Sequence, residues 1–217
     1  MKITAYQMIS EILHRLNLTD LMEEDFYDSV DHGELVHRIV ELLCDQMGLT
    51  GAEREQTITA SYVHDIGKLK LSKYLYGRDK SALHVEEVRY MRMHAQLGME
   101  MLQDCGYPEA ILDAVFHHHE NYDGSGYPNN LAGSSIPLSA RIIRVCDSFA
   151  ALISDRPYRQ AFDMDTAVEM MIEDVKVYDM EIFLEFLKLY HSEQFRSVID
   201  FAHEINAKNR YLSRNIS

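Results

Sequence analysis

An all-α helical bundle is the fold this sequence predicts, and three observations predict it. Apolar residues recur at spacings of three and four over most of the chain, as helices that bury one face require. The four prolines all fall between Pro108 and Pro157, which leaves both flanks free of the residue that breaks helices. No stretch keeps up the alternation of a half-buried strand, and neither an internal repeat nor a low-complexity run is present.

The elements follow in order. From Ala5, the residues Met8, Ile9, Ile12, Leu13 and Leu16 form the stripe of a first helix. A second runs through Leu35, Ile39, Leu42 and Leu43 to Gly48, where glycine suits the left-handed residue that ends a helix. Thr50 and Glu53 make a capping-box pattern opening a third helix, through Ile58 and Tyr62 to His64. Met93 to Leu102 reads as helix until Cys105-Gly106-Tyr107-Pro108, where the glycine stops one helix and the proline begins another carrying Ile111, Leu112, Val115 and Phe116. Asn121 to Pro137 is rich in Gly, Asn, Ser and Pro and reads as loop, followed by a helix with Ile142, Ile143, Cys146 and Phe149. Phe183, Phe186, Leu187 and Tyr190, then Phe195, Val198, Ile199 and Ala202, continue the helical pattern, with aromatics that read as core.

The 217 residues suit one domain with helical extensions, and 47% hydrophobic content is ordinary for a globular chain. No stretch approaches the roughly 18 apolar residues of a membrane span, and the N-terminus lacks the features of a signal peptide, so the expected compartment is the cytoplasm. Cys44, Cys105 and Cys146 form no close pair, which argues against a disulfide framework or a cysteine-based zinc site. A net charge of -14 argues against nucleic-acid polymers and membrane surfaces as partners. An anionic substrate would then be held by bound cations and a few placed Lys or Arg side chains.

Seven residues of metal-ligand type fall at helix ends and on helix faces: His32, His64, Asp65, His94, His118, His119 and Asp147. Imidazoles and carboxylates suit first-row divalent metals, and an aspartate can bridge two ions through its two oxygens; Asp65 is the natural bridge. Two such ions can share and ionise a water while neutralising the oxygens of a phosphodiester. No nucleophile elbow, Walker A or dinucleotide motif offers another chemistry.

His64-Asp65-Ile66-Gly67-Lys68 resembles the HD-x-G-K signature of the HD hydrolase superfamily. The run His118-His119-Glu120-Asn121-Tyr122-Asp123-Gly124-Ser125-Gly126-Tyr127-Pro128 is similar to the HHExxDGxGYP signature of its HD-GYP branch. The likeness extends from His32-Gly33-Glu34-Leu35-Val36 to Arg141 through Asp147 and on to Asp155-Arg156-Pro157-Tyr158-Arg159, and covers about residues 28 to 190. It implies an HD-domain helical bundle over residues 25–190, with helical extensions at 1–24 and 191–217.

The resemblance further implies that the seven residues hold two or three divalent metals, iron or manganese first among them. It implies cyclic di-GMP as substrate, linearised by a metal-bridging hydroxide to pGpG, with either pGpG or GMP as the final product. Asp65 and Lys68 would be catalytic, with Lys68, Tyr127, Arg156 and Arg159 contacting substrate. Asp123, Gly124, Gly126 and Pro128 would shape the loop. Asp28, one turn before His32, stands where some members carry a metal-binding glutamate; the shorter side chain would reach a third ion directly, reach it through water, or cap the helix. Glu120 is expected to orient a ligating imidazole. Two rival readings are hydrolysis of another cyclic dinucleotide, such as cyclic GMP-AMP, and a non-catalytic binding module. The terminal helices could serve a homodimer or a signalling partner.

Overall fold

A computed structural model of the chain describes residues 4–18, 23–75, 89–156 and 159–215; the side chains at 5, 23–25, 28, 72–75 and 212–215 are also outside what is described. Ten helices are named among these residues: α1 (Ala5–Arg15), α2 (Glu23–Gln46), α3 (Gly51–Val63), α4 (Gly67–Leu75), α5 (His94–Asp104), α6 (Glu109–His117), α7 (Leu138–Leu152), α8 (Met164–Glu173), α9 (Met180–Tyr190) and α10 (Arg196–Asn215). Short 3-10 turns lie at Gly133–Ser135, Val175–Val177 and Glu193–Phe195. The described residues contain no β-strand, only a single bridge between Arg156 and Arg159.

The long helix α2 is the axis of the bundle, packed by α1, α3, α4, α7, α9 and α10. Leu35, Val36, Ile39, Val40 and Leu43 on it are all buried, paired neighbours repeating every four residues, so a wide face of the helix is apolar. Each such side chain contributes about 1.5–3 kcal/mol by leaving water. Helix α7 is buried on a similarly wide face by Ile142, Ile143, Val145, Cys146 and Phe149. Phe149 meets Phe186 and Phe195 at ring-centroid distances of 5.1 and 5.7 Å, so the aromatics of the C-terminal helices are core.

Helix α1 inserts Ile9, Ile12 and Leu13 into the same core, and α10 adds Val198, Ala202 and Ile205. The capping box forms at α1, where Thr4 Oγ1 accepts the Gln7 N–H and the Gln7 side chain accepts the Thr4 N–H. At α3, Thr50 occupies the cap position but makes no side-chain cap, so the Thr50–Glu53 pattern is not used. Two helices fall outside those read from the sequence. One is α4; the other is α8, opened by Asp163, whose carboxylate accepts the Thr166 N–H.

Close approach of α4 to α5 sets up the site. A Cβ on Gly67 would run into the His94 carbonyl oxygen, so only glycine lets the start of α4 press against the start of α5. The turn before Gly67 carries His64 and Asp65, and α5 begins at His94.

Candidate metal centre

The seven histidines and aspartates singled out above come together from five helices and a turn. His32 lies within α2 and Asp147 within α7, His64 caps α3, and Asp65 occupies the turn into α4. His94 begins α5, and His118 and His119 follow the end of α6. All are buried except His119, which is partly so. Their donor atoms form two groups, Asp65–His94–His118–His119 and His32–His64–Asp65–Asp147, within each of which the atoms lie no more than 4.8 Å apart. Asp65 belongs to both. Its Oδ1 is 3.2 Å from His94 Nε2 and 3.7 Å from His118 Nε2, while its Oδ2 is 3.5 Å from His64 Nε2 and 3.6 Å from His32 Nε2.

The helix ends aim the rings. His64, His94 and His118 each donate Nδ1–H to the carbonyl three residues earlier, Ser61, Met91 and Val115, at 2.9, 2.7 and 2.6 Å. A carbonyl oxygen can only accept, so the proton sits on Nδ1 and the Nε2 lone pair faces the cluster. Backbone carbonyls therefore do the orienting expected of Glu120. The buried Glu120 carboxylate turns away and accepts the N–H groups of Asn129 at 2.6 Å and Leu131 at 3.1 Å, closing the loop.

The donor set fits divalent cations. His94 and His118 Nε2 lie 3.2 Å apart, and His119 Nε2 lies 3.1 Å from His94 Nε2. For His94 and His118, whose protons are on Nδ1, this turns lone pair toward lone pair. Such contacts are repulsive unless a cation draws both, and donors at about 2.1 Å and right angles around one ion stand about 3 Å apart. His64 Nε2 and Asp65 Oδ1 are buried without a hydrogen-bond partner, which calls for the same explanation.

Protonation agrees with this. Burial lowers His32, His118 and His119 below the ordinary histidine value and pushes His94 down to about 4, so these imidazoles are neutral. Burial opposes ionisation of Asp65, but Lys68 and His64 outweigh it and hold the carboxyl well below its usual range. Asp147 is held down likewise, against burial, by His32 and His64. His64 is the exception, raised because Asp65 and Asp147 outweigh burial. Two ionised aspartates in one buried cluster call for positive charge, and neutral imidazole with carboxylate is the state that binds it.

Around the cluster, Lys68 reaches back from α4 to Asp65 Oδ2 at 2.5 Å, with 38% of its side chain open to solvent. Tyr127 stacks on the His119 ring at 4.8 Å, and the Arg92 guanidinium lies 4.9 Å over the other ring, that of Tyr127. Arg144, one turn before Asp147, donates to Asn121 Oδ1 at 3.0 Å and to Ser148 Oγ at 2.9 Å. Neither Arg92 nor Arg144 was picked out from the sequence; a basic residue one helical turn, or two positions, from a ligating residue is the signal they carried. The loop is held by Asp123, which accepts the Ser125 N–H and hydroxyl, by Gly124 at φ 80, and by Gly126, whose missing Cβ would overlap the backbone at 119–121. Tyr127-Pro128 is a cis peptide.

The two downstream arginines differ. The positive charge of Arg156 adds to burial in lowering His32. Arg159 donates to the carbonyls of Leu152, Gln160 and Ala151 at 3.1, 2.8 and 2.9 Å and lies over Phe162, so in this structure its guanidinium holds the end of α7. Pro157 and Tyr158, the Asp28 side chain, and most of the 74–87 segment lie outside the described residues. The backbone of Asp28 lies in α2, one turn before His32. Of the other histidines, His37 is buried and stacked on Tyr62 at 3.8 Å, and His117 binds the Asp113 carbonyl.

Known proteins resemble this chain in sequence and in fold. The chain is 36% identical over 137 residues to the cyclic di-GMP phosphodiesterase response regulator RpfG of Xanthomonas campestris, covering 62% of this chain and 36% of that one. It is 34% identical over 174 residues to the cyclic di-GMP phosphodiesterase PA4108 of Pseudomonas aeruginosa, covering 80% of this chain and 42% of that one. The chain thus spans less than half the length of these relatives. The crystal structure of the cyclic GMP-AMP specific phosphodiesterase V-cGAP3 of V. cholerae superposes with a TM-score of 0.64 at 16% identity, over 93% of this chain and 52% of that one, a likeness of fold. The model of the HD domain matches residues 11–182, and the chain belongs to the HD-domain family.

Proposed function

We propose that this chain is a metal-dependent phosphodiesterase that hydrolyses cyclic di-GMP to pGpG and onward to GMP. One observation carries the reading: two buried donor groups share a single aspartate, Asp65, with imidazole lone pairs turned toward each other. The similarity to two cyclic di-GMP phosphodiesterases supports the choice of substrate. His94, His118 and His119 with Asp65 would hold one cation; His32, His64 and Asp147 with the same Asp65 would hold the second. Asp28, if it reaches, would hold a third. Bound there, iron or manganese would supply an activated water and positive charge for the phosphate oxygens.

The chain's own residues do the rest. Lys68 stands on Asp65 with part of its side chain exposed, and there its ammonium would donate to a phosphate oxygen or stabilise the negative charge left on the attacking water once its proton has gone. Arg156 offers a forked donor to the phosphate or a guanine edge. Tyr127 stacks on His119 with the Arg92 guanidinium over its ring, and its hydroxyl, kept protonated by burial, is the group it would offer to substrate. The unit comprises residues 25–190, with 1–24 and 191–217 as helical extensions; among the described residues no helix is long and apolar enough to cross a membrane. Three free cysteines favour the cytoplasm.

The test is to purify the chain without oxygen, measure metal per chain, and assay cyclic di-GMP, cyclic GMP-AMP and a linear dinucleotide. Metal-dependent formation of pGpG from cyclic di-GMP is expected. Preference for cyclic GMP-AMP would transfer the reading to that substrate, and tight binding of nucleotides by the metal-loaded chain without turnover would make it a binding module.

A further inference from the structure

The terminal helix α10 lies beyond the residues matched by the family model, yet it grips the turn that leads out of α7. Asn206 is buried, with 6% of its surface exposed, on a helix whose other buried residues nearby are apolar. Its amide donates to the Ile153 carbonyl at 2.8 Å and accepts the Asp155 N–H at 2.9 Å. One turn later on the same helix face, Arg210 makes a forked contact with the Asp155 carboxylate at 2.6 and 3.1 Å. That carboxylate also accepts the Ala161 N–H at 2.8 Å. Both backbone bonds of Asn206 and both arms of Arg210 thus end on the residues immediately before Arg156. From there the chain closes through mutual backbone bonds between Arg156 and Arg159.

A buried polar side chain is costly unless its donor and acceptor groups find partners, so an asparagine that both donates and accepts in this position favours one geometry of the chain it touches. The same helix also pairs with α2, where Lys208 lies 2.7 Å from Asp31, the residue before His32. No atom of Asn206 or Arg210 belongs to either donor group.

We propose that Asn206 and Arg210 are positioning residues that hold the turn carrying Arg156, so that the C-terminal helix sets the affinity of the site for its nucleotide while leaving metal binding alone. This rests on Arg156 being a substrate contact. It makes α10 the lever through which anything bound to that helix would tune substrate capture.

The experiment combines Asn206→Ala with Arg156→Ala in a double-mutant cycle on the full chain, alongside amide hydrogen exchange. In Asn206→Ala, exchange at Asp155 and Arg156 should rise about tenfold or more while residues 60–66 keep wild-type protection. Metal per chain should be unchanged. KM for cyclic di-GMP should rise about tenfold with kcat within about twofold, and in a chain already carrying Arg156→Ala the Asn206→Ala change should raise it little further, because the contact it acts through is gone. Unchanged exchange at Asp155, or KM effects that multiply independently, would overturn the proposal. Should Asn206→Ala fail to fold, Arg210→Ala, on a side chain 53% exposed, carries the same comparison. A wild-type chain inactive on every cyclic dinucleotide would refute the substrate reading, and the exchange measurement would still decide whether α10 holds the turn.

Discussion

His32 on α2 and Asp147 on α7, 115 residues apart in sequence, meet with Nε2 2.9 Å from Oδ1. That contact ties the bundle's axial helix to the helix beside it through the donor cluster itself. The centre is therefore assembled only when the whole bundle is, and each donor group draws on a different part of it. Asp65 alone serves both groups.

The first prediction follows from that sharing. His119→Ala should lose the cation of the Asp65–His94–His118–His119 group, and His32→Ala the cation of the other. Asp65→Ala should lose both, because neither group keeps its carboxylate bridge. Metal analysis of the three purified variants checks this, with circular dichroism confirming that the helices remain. Equal metal loss in all three would show that the two groups do not bind separately.

Glu120 gives a second prediction. Its carboxylate accepts two loop N–H groups from a buried position, so Glu120→Ala leaves both donors unpaired. At about 1–3 kcal/mol for an unsatisfied buried group, partly relieved by water entering the loop, the loss should be about 2–4 kcal/mol in urea unfolding. Metal content should stay near wild type, because the imidazoles are oriented by backbone carbonyls. Loss of metal with unchanged stability would restore the role the sequence suggested.

The contrast marks how far the sequence could be read. Residue types singled out the candidate donors, since His64, Asp65, His118 and His119 lie in two recognisable motifs, and the resemblance those motifs carry extended the set to His32, His94 and Asp147. Glu120 was misread because its partners, nine and eleven residues ahead, are chosen by how the loop closes and not by any local pattern. The same limit hid the engagement of Arg159 with the end of α7 and of Asn206 with a turn about 50 residues earlier. Even the capping signal misled, since Thr50 matched the pattern and Thr4, with glutamine in place of glutamate, used it. Local chemistry names the groups; tertiary packing decides which of several partners each one meets.

A third prediction concerns pH. The hydrogen bond from Arg210 to Asp155 holds that carboxyl below its ordinary value. A depressed folded pKa contributes stability that is fully present above the unfolded value, about 3.9, and is lost as pH falls through the folded one. Wild type should thus exceed Arg210→Ala by about 0.5–1 kcal/mol near pH 6, a modest figure because the arginine is largely solvated. The gap should close below about pH 4. A gap that persists at low pH would mean that Arg210 stabilises by packing and not by charge.

The last prediction separates the two arginines that the motif presents as a pair. Arg156 bears on His32 through its charge, whereas Arg159 spends its guanidinium on three carbonyls at and beyond the last turn of α7 and on the face of Phe162. The Leu152 carbonyl also accepts the Phe162 N–H at 3.0 Å, so the guanidinium adds a second bond there and caps the Ala151 carbonyl, at a helix end where the ladder of backbone bonds runs out. Arg159→Ala should therefore cost about 1–3 kcal/mol of stability, with Arg159→Lys a poor substitute, since an ammonium cannot span the carbonyls as a planar fork does. Arg156→Ala should leave stability within about 0.5 kcal/mol of wild type and raise KM by about ten- to a hundredfold, the scale of one charge-assisted bond to a nucleotide. Any effect of Arg159→Ala on KM should follow from release of the turn, and so should shrink once Arg156 is already alanine. If instead Arg159→Ala weakens binding as much as Arg156→Ala with no change in unfolding midpoint, the guanidinium leaves the helix end when substrate arrives, and both arginines hold the nucleotide.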